Sequence, residues 1–322
     1  MGLFDPRTNY KPFEYAHITD PLIEAMWGGH WTHKPFTFSG DVHDYLTILS
    51  DDEQAVVSRS LLMISQVEVS VKSYWANIGR LIPKPEIADM GAVFGGVEVI
   101  HSRAYSEILT KLGLDESFQT FLLSDVVKGR VNYLKKYLDK VYDDDRKQIV
   151  YSLILFTLFM ENVSLFSQFF IILGFNRFRS VLKDVANVVQ YTSKEEDIHS
   201  KGGIALIQQI RLEYPEIFDD EFTARVKQSV TDAILSEERV VSWILDGYSN
   251  EFLSESILMS YIKSRMNTAL SDIGIDLVLD AGNFDHTWMD EEICLPAQSD
   301  FFNKDPIDYT KQMQSFSPEA LF

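Results

Sequence analysis

The sequence predicts an all-α fold, a bundle of long helices, and three observations predict it. In 322 residues there are only 16 Gly and 10 Pro, so long segments run without a helix breaker. Apolar residues recur at intervals of three and four, as in Leu61, Ile64, Val71 and Trp75. Alternating, turn-bounded runs of the strand type are scarce.

The breaker-free stretches come in order. Asp51 to Ile82 carries Glu68 behind the run Leu61-Leu62-Met63-Ile64-Ser65-Gln66-Val67. Ile87 to Leu112 holds Glu98-Val99-Ile100-His101, and the preceding Phe94-Gly95-Gly96 predicts close helix approach or a local irregularity. Glu116 to Val141 reads as one further helix. Arg146 to Leu173 is among the most apolar parts of the chain, and Tyr151 to Phe175 has nearly the composition of a membrane span. Glu161, Asn162 and Gln168 fall inside it, and an ionisable group at mid-helix is costly in lipid. A buried bundle helix with one functional acid is the better reading, and no membrane contact is expected. Arg179 to Arg211 holds Glu196-Asp197-Ile198-His199, then Lys201-Gly202-Gly203; Glu221 to Leu245 follows. After about Leu295 the residues are polar and Pro-containing with no helical face to bury. Residues 1–295 are therefore expected to form the helical domain with an N-terminal extension, and 296–322 a flexible tail.

The formal net charge of −19 excludes the Lys and Arg clusters that phosphate contacts need, so no nucleic acid is expected. A single cysteine, Cys294, excludes an internal disulfide framework and any multi-cysteine metal site, and suits a reducing, cytoplasmic setting. The first residues lack the basic-then-apolar order of a signal peptide, and Pro6 stands where a myristoylation motif wants Ser or Thr. No P-loop-type glycine motif is present.

The chemistry lies in the Glu-x-x-His pairs. Positions i and i+3 of a helix lie within about 60° of each other, so carboxylate and imidazole aim at one point. With 21 Glu and 7 His, chance gives roughly half a match per chain. There are three. Glu14-Tyr15-Ala16-His17 lies between Pro12 and Pro21 without apolar periodicity and reads as accidental. The other two sit in strongly helical stretches. Glu161 stands among Phe156, Leu158, Phe159, Leu165, Phe166 and Phe169, where an acid must be neutralised, paired or metal-bound. Singly each residue has a plain alternative: Glu68 and Lys72 as a surface i,i+4 pair, Glu161 salt-bridged, the histidines and Tyr105 simply core. Jointly, Glu68, Glu98, His101, Glu161, Glu196 and His199 make the ligand set of a carboxylate-bridged dimetal site in a four-helix bundle. Oxygen and imidazole ligation suits iron or manganese more than zinc or copper.

At Gly96-Val97-Glu98-Val99-Ile100-His101-Ser102-Arg103-Ala104-Tyr105 the chain resembles the radical-generating small (β) subunit of class I ribonucleotide reductase, and the resemblance runs from about Trp31 to the tail. It implies a ferritin-like bundle acting as a homodimer with a separate large (α) subunit. There, ribonucleotides are reduced to 2′-deoxyribonucleotides with a thioredoxin- or glutaredoxin-type reductant. It implies that Glu68, Glu98, His101, Glu161, Glu196 and His199 bind the two metals and that Tyr105 matches the radical-site tyrosine. Trp31, rather than Trp27, matches the buried tryptophan of the path by which an electron hole leaves the subunit. Tyr309 is the only tyrosine beyond Tyr261 and so the tail tyrosine of that path. The lone cysteine fits a subunit that does not itself reduce substrate.

Two positions depart from the usual pattern. Where the family usually has Asp before the second Glu-x-x-His, linking tryptophan to a ligand histidine, this chain has Glu195, placed i,i+4 from His199. Lys72, one turn after Glu68, would put a cation beside the metals, where it could attract an anionic oxidant. This resembles the class Id branch, which implies two manganese ions oxidised by superoxide to Mn(III)Mn(IV), with that pair rather than Tyr105 storing the oxidising equivalent. Two iron ions, or a mixed manganese–iron pair, with O2 as oxidant are the alternative. A ligand-binding oxidase of the same bundle superfamily would share the metal helices but have no use for Trp31 or a tyrosine-bearing tail. A ferritin-like store would be a much shorter chain, and an all-α interaction scaffold would need no buried acids.

Overall fold

Ser50 starts the first long helix. Its hydroxyl accepts from the Glu53 N–H while the Glu53 carboxylate accepts from the Ser50 N–H, a reciprocal cap backed by Asp51 and Asp52. A computed structural model describes residues 2–294, apart from the side chains of 68–70 and 294. Among the described residues the chain is helical, with no strand. The α-helices are α1 (Ala16–Gly28), α2 (Ser39–His43), α3 (Asp51–Leu81), α4 (Pro85–Lys111), α5 (Asp115–Phe121), α6 (Asp125–Leu134), α7 (Asp145–Leu155), α8 (Phe166–Arg179), α9 (Lys183–Glu213), α10 (Asp220–Leu245), α11 (Glu255–Asp272) and α12 (Thr287–Cys294).

Helices α3, α4 and α10 keep the limits that the sequence predicts to within a residue or two. The other stretches differ. Glu116 to Val141 is not one helix: Ser124 takes extended backbone and begins α6 afresh, and Lys135–Leu138 tightens into a 3₁₀ turn. Between α7 and α8 the residues Phe156–Ser164 form a π-helical segment, whose wider turn leaves backbone groups in need of other partners. Arg265 of α11 supplies one. Its Nε donates to the Asn162 carbonyl at 2.9 Å, and Asn162 Nδ2 donates back to the Arg265 carbonyl at 3.2 Å. The stretch Asp145–Arg179 is long and apolar enough to cross a membrane, but its most apolar window is 89% buried inside the protein.

Helix α9 begins at Lys183 rather than Arg179, because Ser180 and Leu182 both take left-handed backbone. Its first turn is capped from far away. The Asp41 carboxylate accepts from Val185 N at 2.8 Å and Asp184 N at 3.3 Å, and Asp44 accepts from Leu182 N at 2.9 Å. Asp184 answers by accepting from Phe38 N at 3.0 Å. These bonds satisfy N–H groups that a helix start leaves without partners.

Helices α3 and α4 pack along their lengths. A Cβ on Gly91 would overlap the Trp75 carbonyl, so only glycine lets the two backbones meet there. Gly203 plays the same part where α9 meets Thr157 of the π-helical segment. Helices α3, α4 and α9 and the π-helical segment thereby surround one interior, lined by Leu61, Ile64, Phe94, Phe156 and Phe159.

Candidate metal centre

Three of those elements send acids and imidazoles inward. Glu98 and His101 project from α4, Glu161 from the π-helical segment, and Glu196 and His199 from α9; all five are fully buried. One ligand atom from each of Glu98, Glu161, Glu196 and His199 falls within 4.8 Å of the others. His101 Nδ1 lies 3.3 Å from Glu98 Oε2 and 3.2 Å from Glu196 Oε1. His199 Nδ1 lies 3.0 Å from Glu98 Oε1, 3.3 Å from Glu196 Oε2 and 3.6 Å from Glu161 Oε2. Glu98 and Glu196 thus turn one oxygen to each imidazole. Glu68 belongs to α3, but its side chain lies outside the described residues.

The five side chains strongly perturb one another's pKa values. Burial disfavours a charged His101, yet the Glu98 charge and bonds to Glu195, Glu196 and Glu98 raise its pKa well above the usual value. His199 is raised in the same way, against burial, by Glu161, Glu196 and Glu98. Burial and the Glu196 charge push Glu161 far up. Burial would also raise Glu196, but bonds from His101 and His199 bring it below the ordinary range. Even so, among the described residues these contacts are not well-formed hydrogen bonds at Glu98 Oε1 and Oε2, Glu161 Oε2, Glu196 Oε1 and His199 Nε2. Buried oxygens left unpartnered at one point are costly, and divalent ions would satisfy them. The residues fit a dimetal group.

A polar chain leads outward from His101. Its Nε2 lies 2.7 Å from Glu195 Oε2, which also accepts from Trp31 Nε1 at 2.9 Å. This corrects the i,i+4 expectation: Glu195 pairs across the helices with His101, not with His199 on its own helix. Trp31 is buried, whereas Trp27 is 67% exposed. Lys72, half-buried, donates from Nζ to Ser102 Oγ at 3.3 Å, which sets it beside the His101 turn of α4. Tyr105 is buried one turn beyond His101 and borders a cleft with Ser65, Ser102 and Ser106. Glu14 is far from this cluster and bonds Lys84 at 2.9 Å, while His17 is exposed, so that motif is indeed accidental, although α1 does run through Pro21. Tyr309 and the remainder of 295–322 lie outside the described residues.

The family model described as "Ribonucleotide reductase, small chain" matches residues 7–281. The chain belongs to that family. A probable ribonucleoside-diphosphate reductase small subunit of Invertebrate iridescent virus 3 is 26% identical, over 97% of this chain and 86% of its own length. The solved dimanganese(II) NrdF of Streptococcus sanguinis shares the fold at a TM-score of 0.69 and 17% identity, covering 87% of this chain and 97% of that one. An R2-like ligand-binding oxidase with a Mn/Fe cofactor does so at a TM-score of 0.67 and 18% identity, covering 81% and 95%. The fold is therefore the ferritin-like one of the reductase small chains. The protein is the small subunit of a ribonucleoside-diphosphate reductase, whose oxidoreductase activity belongs to the complex with a large subunit; such small subunits are typically homodimers.

Two neighbours of the reductase site escaped the reading of the sequence. Trp75 on α3 donates from Nε1 to Glu161 Oε1 at 2.6 Å. Tyr191 on α9 stacks on Trp31, with ring centroids 5.3 Å apart and planes 17° from parallel. Trp75 falls two turns after Glu68, on the same helix face, and that spacing was the available signal. No sequence signal marks Tyr191, because Trp31 reaches it across the fold.

Proposed function

We propose that Glu68, Glu98, His101, Glu161, Glu196 and His199 hold two manganese ions, and that this subunit supplies the radical equivalent by which its large subunit begins nucleotide reduction. Bound there, the ions would supply a one-electron oxidant, formed with superoxide. The observation that carries the reading is the meeting of three buried acids and two buried imidazoles from separate helices, with Trp31 joined to one imidazole through Glu195.

Each side chain has a separable task. Glu98 and Glu196 face both histidines and would hold the ions as a pair. Glu195 fixes the His101 ring and sits where it can take the Trp31 Nε1 proton when the indole gives up an electron. Trp31 and, in the tail, Tyr309 carry the hole towards the large subunit. Lys72 places a cation beside the His101 turn, where it would draw in an anionic oxidant. Tyr105 remains reduced in this reading. The fold shared with R2-like ligand-binding oxidases leaves an oxidase acting alone as the rival. The Trp31–Glu195–His101 chain favours the reductase.

The test combines spectroscopy with truncation. Protein loaded with Mn(II) and treated with superoxide should give a multiline manganese signal in electron paramagnetic resonance, with nucleotide reduction on adding the large subunit. A sharp tyrosyl signal would instead make Tyr105 the radical store. Truncation before Asp308 should abolish reduction while leaving the metal signal; reduction that survives truncation would remove Tyr309 from the path, and a metal signal with no reduction by the intact pair would favour the oxidase.

A further inference from the structure

The hydrogen bond from Trp75 to Glu161 constrains how that acid can act. Trp75 is fully buried on α3, its Nε1 is 2.6 Å from Glu161 Oε1, and that oxygen is thereby occupied. Among the described residues Glu161 Oε2 has no hydrogen-bond partner, and it lies 3.6 Å from His199 Nδ1. The two oxygens of one carboxylate therefore have different surroundings. Glu161 needs such an anchor, because it sits in the π-helical segment, where the backbone turn is wide. The indole cannot drift. Its ring stands edge-on to Phe94 at 4.9 Å and to Phe156 at 5.6 Å, lies 5.8 Å from the His199 ring, and its backbone carbonyl is pressed against Gly91.

We propose that Trp75 is a positioning residue of the metal centre: its N–H holds Glu161 Oε1, leaving Oε2 as the one oxygen through which Glu161 reaches an ion. Held in this way, Glu161 would offer an ion Oε2 alone. This rests on the reading of Glu161 as a ligand. The role differs from that of Glu195, which bonds an imidazole and leads outward; Trp75 bonds a carboxylate and leads nowhere.

The full-length chain with Trp75 replaced by β-(3-benzothienyl)alanine tests it, since sulfur replaces the N–H with little change of shape. Mn(II) binding is followed by equilibrium dialysis, and the Mn(II)-loaded protein by electron paramagnetic resonance, beside wild type, Trp75→Phe and Glu161→Ala. Both Trp75 variants should weaken one of the two ions by about 10-fold. They should also alter the coupled Mn(II) spectrum, because Oε1 becomes free to bind, while circular dichroism stays that of wild type. Packing loss alone would spare the benzothienyl variant. If that variant matches wild type in isotherm and spectrum while Glu161→Ala loses an ion, the Trp75 role is wrong and the ligand reading stands. If Glu161→Ala itself binds both ions as wild type does, the ligand reading falls and the Trp75 role with it.

Discussion

Glu98-Val99-Ile100-His101 and Glu196-Asp197-Ile198-His199 are one four-residue device set in two different surroundings. Behind His101 stands a hydrogen-bonded chain, Glu195 and then Trp31, with Tyr191 stacked beyond. Behind His199 stands Phe94, its ring centroid 4.4 Å away, and His199 Nε2 has no hydrogen-bond partner. The two imidazoles share Glu98 and Glu196 on their inner sides, where His199 also meets Glu161, and they differ most on their outer ones. Such a pair teaches that one local motif can be hydrogen-bonded on its outer side in one helix and walled off by an aromatic ring in another.

The contrast can be broken most completely at its shared centre. Glu196→Ala removes one of the two acids that face both imidazoles, and metal content measured by plasma spectrometry should fall from two ions per chain towards none; full retention would mean that the halves do not share their ions. Next comes the outward side alone. Trp31→Phe should abolish nucleotide reduction with the large subunit while metal content stays at the wild-type level, and a variant that still turns over would remove Trp31 from the path. Glu195→Ala leaves the His101 ring unanchored and should cost about 10–100-fold in metal affinity or turnover. Glu195→Asp should recover part of that loss, and equal losses in both would argue against a hydrogen-bonding role.

A pH experiment addresses both halves together. The acids facing His101 and His199 overcome burial and raise both pKa values well above the usual imidazole value, which favours the protonated rings. A metal needs the neutral ring, so loading must expel protons and Mn(II) affinity should rise with pH through the neutral range. Calorimetry in two buffers of different ionisation enthalpy would detect the release, and identical heats would contradict it. The smallest effect belongs to the insulated side. Phe94→Leu should cost about 1 kcal/mol of stability with no change in the number of ions bound, whereas altered metal content would give Phe94 a role in ligand placement.

The shared inward direction of Glu98 with His101 and of Glu196 with His199 was legible because helical spacing is a local property, and the burial of Glu161 was legible from its apolar neighbours. The limits of α3 were legible for the same reason, since Ser50 and Glu53 lie within one turn. Three features were not. The π-helical turn around Glu161 depends on Arg265, more than a hundred residues later, accepting the role of partner to the Asn162 backbone. The true neighbour of Glu195 lies on another helix, so counting along α9 pointed to His199 instead of His101. Trp75 looks like ordinary core until Glu161 is set opposite it. Each omission concerns contacts between distant segments, where periodicity carries no information.

The carboxylates of Asp41 and Asp44 that cap α9 have a consequence for the amino-terminal stretch. Trp31 lies only ten residues before Asp41, and the helix fastened there is the one bearing Glu195, Glu196 and His199. The stretch thus ties Trp31 to the helix that carries its hydrogen-bond acceptor, Glu195. A shortened protein starting near Asp51 would lose the tryptophan and, with it, the clasp that seats the opening turn of the second ligand helix.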